Sequence, residues 1–170
     1  MNGLLNSTHQ NKMEQVIFEV KEMGADITLL QETHIHDEAT KNRFKRNWPG
    51  KCIFDYGTNR ARGVAILFSE KRNWILDSIR KDGTGRLIIL SVKQESIKFE
   101  LVCLYGPNGK QERKDFYEEL NINMGMMGIH IVGGDFNFHE YINDKKGGNP
   151  DEGLEGKEEM EIIKKRLQHL

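Results

Sequence analysis

Cysteine is scarce in this 170-residue chain: Cys52 and Cys103 are the only two, far apart and each set among strand-like residues. That argues against a disulfide framework or a zinc knuckle and for two buried thiols in a reducing compartment. Long apolar runs are missing as well, since nothing approaches the ~20 residues needed to cross a bilayer. The opening Met1-Asn2-Gly3-Leu4-Leu5-Asn6 has neither a basic leader nor an apolar stretch, so no signal peptide is expected. The expected location is therefore nuclear or cytoplasmic rather than secreted, with no membrane partner. An excess of either charge is also lacking: 25 Lys and Arg stand against 26 Asp and Glu, a net charge of -1. Any polyanionic partner must be held by a local patch rather than by global attraction. Neither GxGxxG nor GxxxxGK[ST] occurs, which argues against a nucleotide cofactor. There is no internal repeat and no low-complexity linker.

What is present is the composition of one soluble globular domain, 37% hydrophobic and 30% charged. A first helix is expected after Ser7 or Thr8, with Met13, Val16, Ile17 and Val20 on one face and Gly24 as its stop. Ile27 to Leu30 reads as a buried strand. Residues 41–48 read as helical or irregular, with Pro49-Gly50 as a turn. Four further strands are expected over 52–56, 63–68, 86–92 and 98–105, with turns at Asp82-Gly83 and Glu95-Ser96. A helix over about 111–124 buries Phe116, Leu120 and Met124. Ile129 to Val132 forms a last apolar stretch, residues 143–154 a loop, and Met160, Ile163 and Leu167 fall at helical spacing in the tail. Strands outnumber helices, and their short separations favour antiparallel pairing. The fold class is α/β (or α+β), a sandwich with helices outside.

Three polar clusters each follow an apolar strand directly: Gln31-Glu32-Thr33-His34, Tyr105-Gly106-Pro107-Asn108 and Gly134-Asp135-Phe136-Asn137. Strand ends are where a rigid scaffold aims side chains into a shared pocket. A hard divalent cation such as Mg²⁺ takes carboxylate and water oxygens, often from only one or two carboxylates. Glu32 and Asp135 suit that chemistry. Tyr105, Asn108 and Asn137 add uncharged donors that can hold a phosphate without competing for the metal. Together they meet the needs of phosphodiester hydrolysis: charge neutralisation, positioning, and donors aimed at developing oxyanions.

Each piece also has a simpler reading. A lone Glu after a strand is commonly a solvated loop residue. Asp135, Asn137 and the Pro107-Asn108-Gly109 stretch suit turns, because Asp and Asn bond their own backbone. Tyr105 suits the last core position of its strand. His34 and His36, with no cysteines near them, read as surface residues rather than zinc ligands.

The three motifs in this order resemble the endonuclease/exonuclease/phosphatase superfamily, which includes exonuclease III-like abasic-site nucleases, deoxyribonuclease I, inositol polyphosphate phosphatases and sphingomyelinases. Gly63-Val64-Ala65-Ile66-Leu67-Phe68, Gly85-Arg86-Leu87-Ile88 and Asp144-Lys145-Lys146-Gly147-Gly148-Asn149-Pro150 are similar to the endonuclease domains of LINE retrotransposons. The resemblance covers nearly all of residues 2–150. It implies a four-layer DNase I-like α/β sandwich represented by its N-terminal portion. Residues 1–150 would form a partial domain and 151–170 a loop and helical tail of the same domain. It further implies Mg²⁺ (or Mn²⁺) as cofactor and DNA, through its phosphate backbone, as partner. Glu32 matches the metal-binding glutamate of the family and Asp135 the aspartate that orients or activates the attacking water. Asn137 matches the asparagine on the scissile phosphate, Tyr105 the tyrosine near it, and Asn108 the asparagine that organises the pocket. Asn2 matches the second asparagine of an opening Asn-x-Asn-Gly-Leu pattern.

Two features of the family pattern are not found: the asparagine two places before Asn2, and a Ser-Asp-His motif, which neither His139 nor His169 reproduces. The expectation for the chain as given is a target-DNA-nicking endonuclease by ancestry, truncated at both ends and inactive or nearly so. The alternative is a noncatalytic remnant that binds phosphate or nucleic acid, or a protein-interaction module. Between Lys41 and Arg62, seven basic residues, Lys41, Arg43, Lys45, Arg46, Lys51, Arg60 and Arg62, face only Asp55 and form a candidate backbone-contacting patch. The competing reading is a solvated basic surface.

Overall fold

The computed structural model describes residues 10–125, 128–137 and 157–168. Helix α1 (Gln10–Met23) buries Met13, Val16, Ile17 and Val20, the stripe expected from their spacing. It stops at Gly24, whose φ of +63° suits a residue without a side chain. Strand β1 (Ile27–Leu30) follows. Helix α2 (Glu38–Asn47) starts three residues earlier than the apolar pattern indicated, because Asp37 caps it. The Thr40 amide donates to Asp37 Oδ1 at 2.7 Å, and the Asp37 amide donates to Thr40 Oγ1 at 3.3 Å, closing a reciprocal capping box.

Strands β2 (Cys52–Asp55) and β3 (Val64–Phe68) complete a sheet in the order β1-β3-β2, antiparallel throughout. A second sheet runs β4 (Ile75–Lys81), β5 (Leu87–Gln94), β6 (Ile97–Tyr105) and β7 (Ile129–Asp135). Strand β4 was not legible in the sequence. It is a largely exposed edge strand with a register shift between Leu76 and Ser78, so its apolar residues break the alternation that marks a half-buried strand. The expectation of antiparallel pairing also needs correction at β7, which runs parallel to β6. Helix α3 (Lys110–Asn123) makes the crossover such pairing requires. Helix α4 (Lys157–Gln168) forms the tail, with Ile163 buried and Leu167 half-buried; the Met160 side chain lies outside the described residues.

Side-chain alternation sorts the core into layers. In β3, Ala65 and Leu67 meet α1 and α2, packing with Phe44 and Trp48, while Val64, Ile66 and Phe68 point at the other sheet. From that sheet Ile88, Leu90, Val92, Leu101 and Cys103 answer them. Its opposite face offers Leu87, Ile89, Val102 and Leu104 to Phe116, Tyr117, Leu120 and Ile163 of the outer helices. The result is helix, sheet, sheet, helix, a four-layer sandwich. A one-residue slip in β3 or β5 would exchange whole faces, so register is strongly fixed.

The strand directions place one end of the sandwich in a special position. Leu30 of β1 pairs with Ala65, Asp55 of β2 with Val64, and Leu104 of β6 with both Leu87 and Gly134. The ends of β1, β2, β6 and β7 and the starts of β3 and β5 therefore meet at the same end, and all three polar motifs follow strands that stop there. Asn2, Ser7, Thr8, His139, His169 and the 143–154 loop fall outside the described residues.

Candidate active site

Glu32 and Tyr105 leave different sheets and meet: the Tyr105 hydroxyl donates to Glu32 Oε1 at 2.7 Å. Burial pushes the phenol above its ordinary value, helped by Glu32 and the Asp135 charge, while a hydrogen bond with Asn137 pulls the other way. Glu32 and Asn137 thus bond one phenol oxygen, which also feels the charge of Asp135. Asn137 is tied down twice, its amide donating to Asp135 Oδ1 at 3.0 Å and its Nδ2 to the Gly106 carbonyl at 2.6 Å. The Gly106 amide in turn donates to the Asp135 carbonyl at 2.7 Å, so the ends of β6 and β7 are stitched together.

Glycine is required where these chains touch. A Cβ on Gly106 would sit 2.4 Å from the Phe136 carbonyl oxygen, and one on Gly134 would sit 2.0 Å from that of Leu104. Non-glycine residues with positive φ concentrate here too. Glu32 (52°), His34 (54°), Arg62 (68°) and Asn137 (51°) all border the site, and among the described residues only Glu95 (56°), in the β5–β6 hairpin turn, does not. Such backbone costs on the order of 1–3 kcal/mol per residue and persists where surrounding structure enforces it. The Thr33 and His34 amides, donating to the Gly63 and Arg62 carbonyls at 3.0 Å each, supply that enforcement.

Three features of the site were not read from the sequence. Arg113 is buried in α3, and its Nη1 donates to the carbonyls of Asn108 at 3.1 Å and Asn137 at 2.9 Å. Its signal was a cation on the same helix face as Phe116, Tyr117 and Leu120. The Tyr117 hydroxyl donates to the Phe136 carbonyl at 2.8 Å. Arg86, which entered the sequence reading only as part of a family-like segment, donates from Nη1 to the carbonyls of Tyr105 (3.1 Å) and Gly106 (3.2 Å). Its guanidinium carbon lies 5.4 Å from the Tyr105 ring centroid.

Nearby, Asp55 and Asp82 face each other under the 82–86 turn. Asp55 Oδ2 accepts from the Gly85 amide at 2.8 Å, and Asp82 Oδ1 from the amides of Thr84, Arg86 and Leu87 at 3.1–3.3 Å. Burial, then the hydrogen bond with Asp82, pushes the Asp55 carboxyl up to about 7. Burial also works against the Asp82 carboxylate, but its hydrogen bonds with Asp55, Thr84 and Arg86 outweigh that and hold it below its ordinary value. The two carboxyls are thus pushed in opposite directions, Asp55 towards its protonated form and Asp82 towards its charged one.

Of the site residues expected from the sequence, the structure brings Glu32, Tyr105, Asp135 and Asn137 together. Asn108 contributes its backbone carbonyl to Arg113, while its side chain is exposed and makes no hydrogen bond among the described residues. Arg60 is exposed at the tip of the 57–63 loop, and Arg62, at the end of that loop, lies 3.9 Å from Glu112. The basic segment does not form one continuous stripe: Lys41 pairs with Glu38, and Lys51, at the far end of β2, bonds the Trp74 carbonyl. Both cysteines are free, with Cys103 buried and Cys52 half-buried, and burial pushes their thiols up to about 12 and about 11. Among the described residues no group of three or more His, Cys, Asp and Glu is placed to hold a metal, and no helix is long and apolar enough to cross a membrane. The oxygen-only donors Glu32 and Asp135 fit a hard cation held by one or two carboxylates and water.

This architecture is the DNase I-like fold of the endonuclease/exonuclease/phosphatase proteins. The endonuclease domain of TRAS1, a telomere-specific non-LTR retrotransposon, superposes with a TM-score of 0.64 at 15% identity, covering 96% of this chain and 69% of that one. An AP endonuclease from Archaeoglobus fulgidus gives 0.61 at 22% identity, covering 96% and 68%. In sequence the chain is 31% identical over 130 residues to the transposon TX1 uncharacterized 149 kDa protein of Xenopus laevis. That match spans 75% of this chain but only a tenth of the transposon protein, 10% of its length. No protein-family model matches the chain.

Proposed function

We propose that the chain carries the site of a magnesium-dependent DNA endonuclease of the LINE retrotransposon type, one that nicks a phosphodiester by attack of water. The observation that carries this reading is the Glu32–Tyr105 hydrogen bond, which joins two sheets at the strand ends beside Asp135 and Asn137. Glu32 would hold Mg²⁺ (or Mn²⁺), which when bound supplies charge neutralisation at the scissile phosphate. Asp135, exposed and fixed at Oδ1 by the Asn137 amide, orients the attacking water and receives its proton. The Asn137 side chain and the Tyr105 hydroxyl are the uncharged groups at the phosphate oxygens, the hydroxyl becoming a donor to them once Glu32 turns to the metal; Asn108 organises the pocket, with its carbonyl on Arg113, and Arg60 and Arg62 hold the DNA backbone. Asn2, outside the described residues, belongs to the same proposed set as a substrate contact. The similarity to a transposon protein favours DNA over a lipid or inositol phosphate.

Nicking of supercoiled plasmid tests the reading. With no Ser-Asp-His motif in the sequence, at most weak nicking is expected, dependent on magnesium and lost in Glu32→Gln. Equal nicking by both proteins, or nicking that chelator leaves untouched, would refute it. Magnesium and DNA binding that needs Glu32 without any nicking would instead make the chain a binding module on the same fold.

A further inference from the structure

One carboxylate oxygen, Glu112 Oε1, lies 3.9 Å from Arg62 Nη2 and 3.6 Å from Arg86 Nη2. Both separations exceed a normal hydrogen bond, so Glu112 neutralises the two guanidinia without binding either closely. Its side chain is 58% exposed, whereas that of Arg86 is only 12% exposed. Arg86 is not fully satisfied: its Nε is buried with no hydrogen-bond partner among the described residues. Burial, then the charge of Arg62, lowers the guanidinium's affinity for its proton, and Glu112 opposes this. Two cations are therefore held side by side, against their repulsion, next to the Tyr105 ring.

We propose that Arg62 and Arg86 form a phosphate clamp beside Tyr105, that Glu112 occupies it as a loose internal counter-ion, and that a backbone phosphate of the nucleic acid displaces Glu112 on binding. The proposal rests on the phosphodiester reading of the site and adds a subsite with its own occupant. A phosphate group presents several oxygens to two guanidinium forks, where Glu112 reaches both with one. Arg86 is already oriented by the Tyr105 and Gly106 carbonyls, so filling the clamp fixes the strand against the residues proposed to act on it. Glu112 also stands in the first turn of α3, where a carboxylate stabilises a helix. A purely helical role predicts a loss of stability and no change in DNA binding.

Fluorescence anisotropy with a labelled DNA duplex, at several salt concentrations, separates these roles. Glu112→Gln should tighten binding roughly two- to fivefold at low salt. It should also steepen the log–log salt dependence by up to about one unit. Asp115→Asn, one turn further along α3, supplies the effect of removing any acid from that surface and should change binding less. In an Arg62→Gln background the gain from Glu112→Gln should disappear; Arg62 is partly exposed, so this variant is expected to fold. A Glu112→Gln effect equal to that of Asp115→Asn, or one undiminished without Arg62, would overturn the clamp while leaving the nuclease reading standing. Failure of every variant to bind DNA, together with no Glu32-dependent nicking, would overturn both.

Discussion

On one side of Tyr105 the site is fastened by close backbone contact, and on the other by backbone bonds joined by several charges. The ends of β6 and β7 approach so closely that Gly106 and Gly134 leave no room for a methyl group, and Arg113 and Tyr117 cap the remaining carbonyls. The 57–63 loop and the 82–86 turn have main-chain bonds too, among them those from the Thr33, His34 and Gly63 amides to the Gly63, Arg62 and Gly85 carbonyls, and add buried and paired charges to them. Those charges belong to Asp55, Asp82, Arg86 and the Arg62–Glu112 pair. The first side leaves little room for movement at Gly106 and Gly134; the second carries the groups that protons, salt and polyanions would act on. A phosphodiester site benefits from both, with rigid groups at the reacting atoms and exchangeable charges where the strand is held.

The difference can be tested by breaking each side in turn. Gly134→Ala or Gly106→Ala forces backbone against backbone and should cost about 3 kcal/mol or more, read as a lower urea midpoint. A normal midpoint would mean that the two strand ends can part. Asp55→Asn probes the charged side. The folded value of about 7 lies above the ordinary 3.8, so the folded protein keeps a proton that the unfolded chain releases. The stability this group contributes is complete below about pH 4 and is lost as the pH rises towards 7. Asparagine preserves the neutral hydrogen-bonded arrangement and should flatten that stretch of the stability–pH curve. An unchanged slope would show that Asp55 does not hold the proton that sets this stretch of the curve. The smallest effect is expected from Arg62→Gly, which relieves a left-handed backbone. It should raise stability by about 1 kcal/mol while weakening DNA binding. If both quantities fell, the strain at Arg62 would not be separable from its charge.

The same division decides what could be read in advance. Helix α1, β1, β3, β5, β6 and the burial of Phe116 and Leu120 announce themselves through periodicity, because packed faces require it. The rigid side of the site was legible as Glu32, Tyr105, Asp135 and Asn137, since strand ends carrying polar residues are local features of the chain. The charged side was not. Arg86 acquires its place only when β5 lies beside β6, and Asp55 meets Asp82 across 27 residues of chain. Glu112 reads as an ordinary surface acid on α3 until the 57–63 loop brings Arg62 to it. Strand β4 stayed hidden for the opposite reason: an exposed edge with a register shift imposes almost no pattern on its sequence.

The most direct test of the central claim, a metal-side half-site centred on Glu32, is thermal melting during a magnesium titration, which needs no turnover. A ligand that binds only the folded state raises the melting temperature with concentration. The account predicts a saturable rise in the wild type that is lost in Glu32→Gln and kept in the control Asp115→Asn. No rise in the wild type, or the same rise in Glu32→Gln, would contradict it.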